Sequence, residues 1–343
     1  DRAGTFEDSY FSAVNFGVES NFHISLHKKH HLINAIHEGP AYDTDNLTQR
    51  INYYIDRMIA CGTKRADTLV DTTADKLGTS ALERVLEIKN QRKHEIDLRV
   101  AAYSPLGFRD DEPSRWDILV EGARKADFIS ALPESDDMDE YPSNIGFMEH
   151  CRRFLELAQE LKIPLHVHTD QRNEPDEKGT ERLIEAVQQW GIPESVGQEP
   201  MVWVVHMISP STYEEDRFQK LATELKELNI GVICCPSAAI GMRQLRSVKT
   251  PTYNSIPRVL ELLAAGVHVR LASDNIADIC SPSTTADLLD EVFILSAAIR
   301  FYNVDILATL AAGLPLNPDQ IAQIKEHLVQ NDLEIAKALN GYA

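Results

Sequence analysis

The chain has 343 residues, 43% of them hydrophobic, enough for one large core or two average ones. With 53 acidic and 34 basic residues its formal charge is −19, which excludes nucleic acid and anionic membrane as principal partners, because both require a basic face. Five cysteines (Cys61, Cys151, Cys234, Cys235 and Cys280) form an odd set without CxxC spacing, which argues against a disulfide scaffold or zinc ribbon and for a reducing compartment. No apolar run reaches the roughly 18 residues of a membrane span. No signal peptide is visible, although the chain opens on Asp1. The expected location is the cytoplasm, and the expected partners are a small-molecule substrate and further copies of the chain as a homo-oligomer.

The elements follow a repeating rhythm. Val18 to Leu26 reads as a first strand and His27 to Pro40 as a His-rich loop. Asn46 to Cys61 has helical apolar spacing (Leu47, Ile51, Tyr54, Ile55, Met58, Ile59) and stops before Gly62. Strands are then expected at Asp67–Thr72, Leu98–Ser104 and Asp127–Ala131, each followed by a helix: Ser80–Arg92, Pro113–Lys125 and Asn144–Leu161. The second half continues with strands Ile163–His168, Met201–His206, Ile230–Cys235 and Val267–Ser273, and helices Thr180–Trp190, Thr212–Leu228, Ser255–Ala265 and Thr285–Arg300. The strands are short, apolar and often rich in Val and Ile, as a parallel sheet buried on both faces requires. Eight strand–helix units predict an α/β fold of the (β/α)₈ TIM-barrel type. The barrel is expected over about 17–302 and an extension of two or three helices over 303–343, all in one domain. A doubly wound sheet is the rival, but no GxGxxG or GxxxxGK follows the first strand. The acidic stretch Ala131–Tyr141 reads as a solvated loop.

Barrel sites lie at the C-terminal ends of the strands. In Ile163-Pro-Leu-His166-Val-His168 the two histidines are two residues apart, so in a strand they share a face. Met201–His206 and Val267–Asp274 also end in a histidine and a carboxylate, and His23 stands near the end of the first expected strand. Singly, each has a structural explanation; their convergence on strand ends points to a metal site of His168 or His166 with His23, His206 and Asp274. Imidazole with carboxylate suits Zn²⁺, Fe²⁺ or Mn²⁺, zinc first.

These residues, in this order, resemble the amidohydrolase superfamily, in particular the branch with cytosine deaminase and N-isopropylammelide isopropylaminohydrolase. The resemblance runs from about His23 to Ser283 and is strongest in Val167-His168-Thr-Asp170, Val205-His206 and Leu262–Ile276, where an Ala-Gly turn leads into a strand ending Ser-Asp-Asn. It implies one divalent metal held by His23, His168 and Asp274, with Asp274 also accepting a proton and His206 polarising hydroxide or substrate. It further implies that Lys28, His166 and Asn275 contact substrate, and that a metal-activated water hydrolyses a C–N bond of an amide, cyclic amide or amino-substituted small molecule. Four positions depart from the pattern. Ser25 stands where the second ligand of a His-x-His pair belongs, His27 where an Asp belongs, Gln171 where a proton-shuttling Glu belongs, and Pro105 where a ring-binding Gln belongs. A metal-independent hydrolase with a His/Asp general base, or a catalytically silent small-molecule-binding barrel, are the alternatives these departures raise.

Overall fold

A computed structural model of the protein describes residues 32–194, 197–241, 255–278, 281 and 284–341. Seven strands form one sheet in strict chain order, every neighbouring pair parallel: β1 (Arg65–Asp71), β2 (Asp97–Tyr103), β3 (Phe128–Ala131), β4 (Leu165–Thr169), β5 (Val202–His206), β6 (Ile230–Cys234) and β7 (Val269–Leu271). Before the sheet come α1 (Ile33–Glu38) and α2 (Thr44–Ala60). Between strands run α3 (Ser80–Arg92), α4 (Ser114–Ala123), α5 (Phe147–Leu161), α6 (Gly179–Trp190), α7 (Glu215–Glu227), α8 (Pro236–Gly241) and α9 (Val259–Ala265). After β7 follow α10 (Leu288–Ile299), α11 (Val304–Ala311) and α12 (Pro318–Leu339). The expected strand Val18–Leu26 lies outside the described residues. Seven of the eight expected strands are therefore present as a curled parallel sheet: residues of its first strand, such as Asp67, and of its last, such as Arg270, line the same cavity.

Alternation along the strands separates two environments. One face carries Val70, Val100, Ile129, Val167, Val204, Val232 and Val269 into the main core, where they meet helix residues such as Leu82, Val85 and Ile88 of α3. The other face is concave and holds a smaller cluster of Trp203, Val205, Ile233 and Cys235. The same register puts His166 beside Trp203 and His168 beside Val205, so both histidines point into the concavity. Gly231 pairs with Trp203, and a Cβ there would run into the indole ring. The glycine is what lets this large residue lie flat inside the sheet, its Nε1 donating to the Pro200 carbonyl at 2.9 Å.

Several expectations are corrected. The loop expected over 27–40 contains α1 in its described part, with His37 buried. The acidic stretch 131–141 is not a solvated loop throughout, since Pro133–Asp136 is a 3₁₀ turn. Asp136 is fully buried there, accepting from Phe108 N at 2.7 Å and bonded to His150 Nδ1 at 2.7 Å. The strand expected at Val267–Ser273 shrinks to three residues, and the helix expected from Thr285 starts at Leu288, where Asp287 caps it through Leu289 N. No helix among the described residues is long and apolar enough to cross a membrane.

The Trp203–Gly231 contact gives a test. Gly231→Ala is expected to cost about 1–3 kcal/mol through overpacking, read as a lowered thermal midpoint. An unchanged midpoint would mean that Trp203 has room to move.

Candidate functional site

A cavity of about 520 Å³ opens inside the curled sheet. Asp71, Tyr103, His168, His206, Asp274 and Asn275 border it at or just beyond strand C-terminal ends, and His166 borders it lower down. His168 is held from behind: its Nδ1 lies 3.2 Å from the Ala131 carbonyl and 3.3 Å from Ser130 Oγ, and Tyr103 packs at 5.6 Å between ring centres. A hydrogen on Nδ1 donated to that carbonyl leaves Nε2 as the basic nitrogen, the arrangement in which metal-binding imidazoles are held.

His206 reaches the cavity by a different device. Val202 and Val204 face the helices, so simple alternation would send His206 the same way. Its backbone instead adopts φ +76°, followed by +52° at Met207. This left-handed turn carries the ring inward, to 5.3 Å between centres from His168. Residues with side chains reach such φ values at a cost, and they cluster at functional sites. Burial lowers the His206 pKa to about 4, so the ring is neutral near pH 7, and its buried Nδ1 has no hydrogen-bond partner among the described residues. Asp274 also has positive φ, +59°.

His166 sits one layer deeper. Phe128 packs on it at 4.4 Å, and burial, only partly offset by Asp67, lowers its pKa to about 3. Below it lie the pairs Arg65–Asp67 at 2.9 Å and Arg270–Glu199 at 3.2 Å. Asn275 lines the cavity, while its carbonyl accepts from the Thr284 hydroxyl. His23 and Lys28, with Ser25, His27 and His30, lie outside the described residues. Of the two adjacent cysteines, Cys234 packs in the outer core and Cys235 borders the cavity; burial pushes both thiols up, so neither is a ready nucleophile.

The motif His168-Thr-Asp170-Gln171 divides its labour. Asp170 turns away from the cavity at φ +59°, and its carboxylate accepts from Gly179 N at 2.7 Å, Thr180 N at 2.8 Å and the Thr180 hydroxyl. It therefore anchors the start of α6. Gln171 borders the cavity and donates through Nε2 to Glu134 Oε2 at 3.0 Å. Glu134 was not singled out from sequence. Burial, then the Glu177 and Asp170 carboxylates, pushes its pKa well above the ordinary range. Asp71 was missed too, although it closes an apolar strand just as Asp274 does.

Among the described residues no three His, Cys, Asp or Glu side chains are gathered as a ready metal site. Two observations nevertheless suit a metal: the backed Nδ1 of His168, and the buried, unpartnered Nδ1 of His206. His168, His206 and Asp274 are the described residues with the right donor chemistry.

No family model matches the sequence. An uncharacterized protein of Haemophilus influenzae is 28% identical over 223 residues, covering 63% of this chain and 75% of that one. The fold is shared with 5-methylcytosine deaminase from Klebsiella pneumoniae liganded with 5-fluorocytosine, at TM-score 0.74 and 21% identity over 91% of this chain and 70% of that one. It is also shared with N-isopropylammelide isopropylaminohydrolase from Burkholderia multivorans, at TM-score 0.59 and 20% identity over 75% of this chain and 59% of that one. These are enzymes of the superfamily, and of the branch, that the motifs resemble.

The buried acids behind Gln171 give a pH prediction. Burial, then Asp170, raises the Glu177 pKa to about 7, against roughly 4.3 in an unfolded chain. The folded state thus binds more protons between these values, and this contribution to stability falls as pH rises from about 4.5 to about 7. Glu177→Gln is expected to flatten the fall in urea midpoint over that window; an unchanged slope would remove Glu177 as its source.

Proposed function

We propose that this chain is a metal-dependent hydrolase of C–N bonds, of the amidohydrolase superfamily, acting on an amide, cyclic amide or amino-substituted small molecule. The observation that carries the reading is the inward convergence of His168, His206 and Asp274 on one cavity, with His206 turned there by a strained backbone. The shared fold with a deaminase and an aminohydrolase supports it.

The proposal includes a closed (β/α)₈ barrel whose eighth strand stands between β7 and β1. Support comes from the cavity wall at that point, which side chains of α2 such as Tyr54 and Met58, and the stretch Ala311–Leu314, line. The sequence assigns Val18–Leu26 to the position, with His23 as a ligand and Lys28 near the substrate.

His23, His168 and Asp274 would hold the metal, zinc first and iron or manganese as alternatives. When bound, such an ion makes water a nucleophile near neutral pH by lowering its pKa to about 7. The chain's own residues orient and exchange protons. The Ala131 carbonyl and Ser130 fix the His168 ring. His206, uncharged at neutrality, is able to take a proton or to polarise the scissile group. Asp274 accepts a proton and returns it to the departing nitrogen, and Asn275 and His166 contact the substrate. Gln171 cannot act as an acid near neutrality, so the proton route differs from one that runs through a glutamate at that position.

Elemental analysis of protein purified without a metal-affinity column tests the reading. About one transition metal per chain is expected, lost in His168→Ala and in Asp274→Ala. Turnover on an amide and cyclic-amine panel is expected to drop by roughly 10²–10⁴ in His206→Ala, the usual worth of a general acid–base group. A metal-free, inactive protein would overturn the proposal.

A further inference from the structure

The longest described helix, α12 (Pro318–Leu339), is anchored along its first half. A capping box starts it: Asn317 Oδ1 accepts from Gln320 N at 2.9 Å, and Gln320 Oε1 accepts from Asn317 N at 3.0 Å. Gln320 Nε2 donates to Thr309 Oγ1 at 2.9 Å, and Asn303 Nδ2 donates to Gln323 Oε1 at 3.0 Å. Phe301 meets the His327 ring at 5.0 Å between centres. Ile324 is fully buried, and Leu328 packs against the core. From 329 to 341 every residue is exposed. The side-chain bonds there stay inside the helix, from Lys337 to Glu334 at 2.5 Å and from Asn340 to the Ala336 carbonyl at 2.9 Å. About three turns thus run beyond the packed body, open to solvent on every side.

Those turns are not polar all round. Ile324, Leu328, Ile335 and Leu339 recur at helical spacing on one face, and Val329, Leu333 and Ala336 widen it. Gln323, Glu326, Gln330, Glu334 and Lys337 hold the opposite face. The stripe that seats the first half on the core therefore continues past it into solvent, and Leu339 at its end is 83% exposed. Three turns of helix without tertiary packing are marginal in water, and an apolar face of this kind marks an interaction site. In the anchored half, the flank of the same face left open is Ala322, Lys325 and Val329.

We propose that α12 pairs antiparallel with α12 of a second copy of the chain, about a two-fold axis at its midpoint. Charge selects this occupant and this direction. The charged residues of α12 are Asp319, Lys325, Glu326, Asp332, Glu334 and Lys337. Two of them, Lys325 and Asp332, fall inside the apolar face. Both are exposed, and neither has an ion-pair partner among the described residues. Seven positions along a helix put them about 10 Å apart, too far to pair with each other. The midpoint of α12 lies between Leu328 and Val329. Antiparallel pairing about it sets Lys325 opposite the partner's Asp332, and symmetry repeats the pair. The same register sets Leu328 opposite the partner's Val329, Ile321 opposite the partner's Ala336 and Ala322 opposite the partner's Ile335. Glu326 then faces the partner's Asn331, Glu334 the partner's Gln323 and Lys337 the partner's Gln320, so no like charges meet. A parallel pair would set each Lys325 and each Asp332 against its own copy, and like-charge repulsion opposes that. Paired this way, the projecting half of each helix covers the anchored half of the other.

Sedimentation velocity of the full chain over a wide concentration range tests the pairing. A species of twice the chain mass is expected, and Leu333→Glu is expected to shift it to monomer. Lys325→Glu and Asp332→Lys are each expected to raise the dimer dissociation constant by about tenfold or more, because each turns two facing attractions into two repulsions. Mixed in equal amounts, these two variants are expected to associate again, since every facing pair in the mixed dimer joins opposite charges. The double variant, Lys325→Glu with Asp332→Lys, is expected to recover self-association for the same reason. Recovery on mixing requires both variants to be folded, so misfolding does not imitate it. A protein that stays monomeric throughout, a dimer indifferent to Leu333→Glu, or charge variants that neither weaken association alone nor recover it together would overturn the proposal. None of these readings involves metal or turnover, so the hydrolase reading stands or falls separately.

Discussion

Asp170 is the residue on which the geometry of the cavity mouth depends. Its carboxylate ties the first turn of α6 to the end of β4. Its carbonyl accepts from Ile208 N and Ser209 N, at 2.9 and 3.0 Å, just past the end of β5. Its own N–H donates to Glu134 at 2.6 Å, in the turn after β3. Three strand ends and a helix start are thus held by one residue that never enters the cavity. The lock also explains why His206 and Met207 keep left-handed backbones: their neighbours' N–H groups are already committed to β4. Strain at a strand end persists only where the surroundings over-determine it.

The cavity that results is electrostatically layered. Burial keeps the inner imidazoles His166 and His206 neutral, so they offer lone pairs rather than charge. Behind Gln171, burial raises the pKa values of the Glu134 and Glu177 carboxyls, helped by Glu177 and Asp170 at the first and by Asp170 at the second. On the β1 side the opposite rule holds, since the bonds from two flanking acids outweigh the burial of His37 and raise its pKa. The same physics, desolvation against a partner charge, thus lowers the pKa of the imidazoles on one wall and raises that of His37 on the other.

Much of the frame was legible in the sequence, because period-2 apolar runs and period-3.6 helices carry their own signal. Ser80–Arg92 was read to the residue, and the seven described strands were placed within a few residues. The strand-end pattern singled out His168, His206 and Asp274, all of which border the cavity. What escaped was whatever depended on contacts distant in sequence. His37 lies in a His-rich stretch that looks solvated, and only the fold brings it against Asp71 and Asp75. Glu134 lies in an acidic run whose composition says surface, yet its partners come from residues 170 and 171. The inward turn of His206 is a backbone event that alternation, read along a sequence, would place on the wrong face.

The paired arginines beneath His166 have a further consequence. Arg270 lies over the Trp203 ring at 4.3 Å and meets Glu199, while Arg65 meets Asp67. Each positive charge at that end has its own negative neighbour, so their fields largely cancel over the distance to the strand tips. Discrimination by charge is therefore a property of the upper wall alone. The lower half then acts on a guest through shape and packing beneath His166 rather than through net charge.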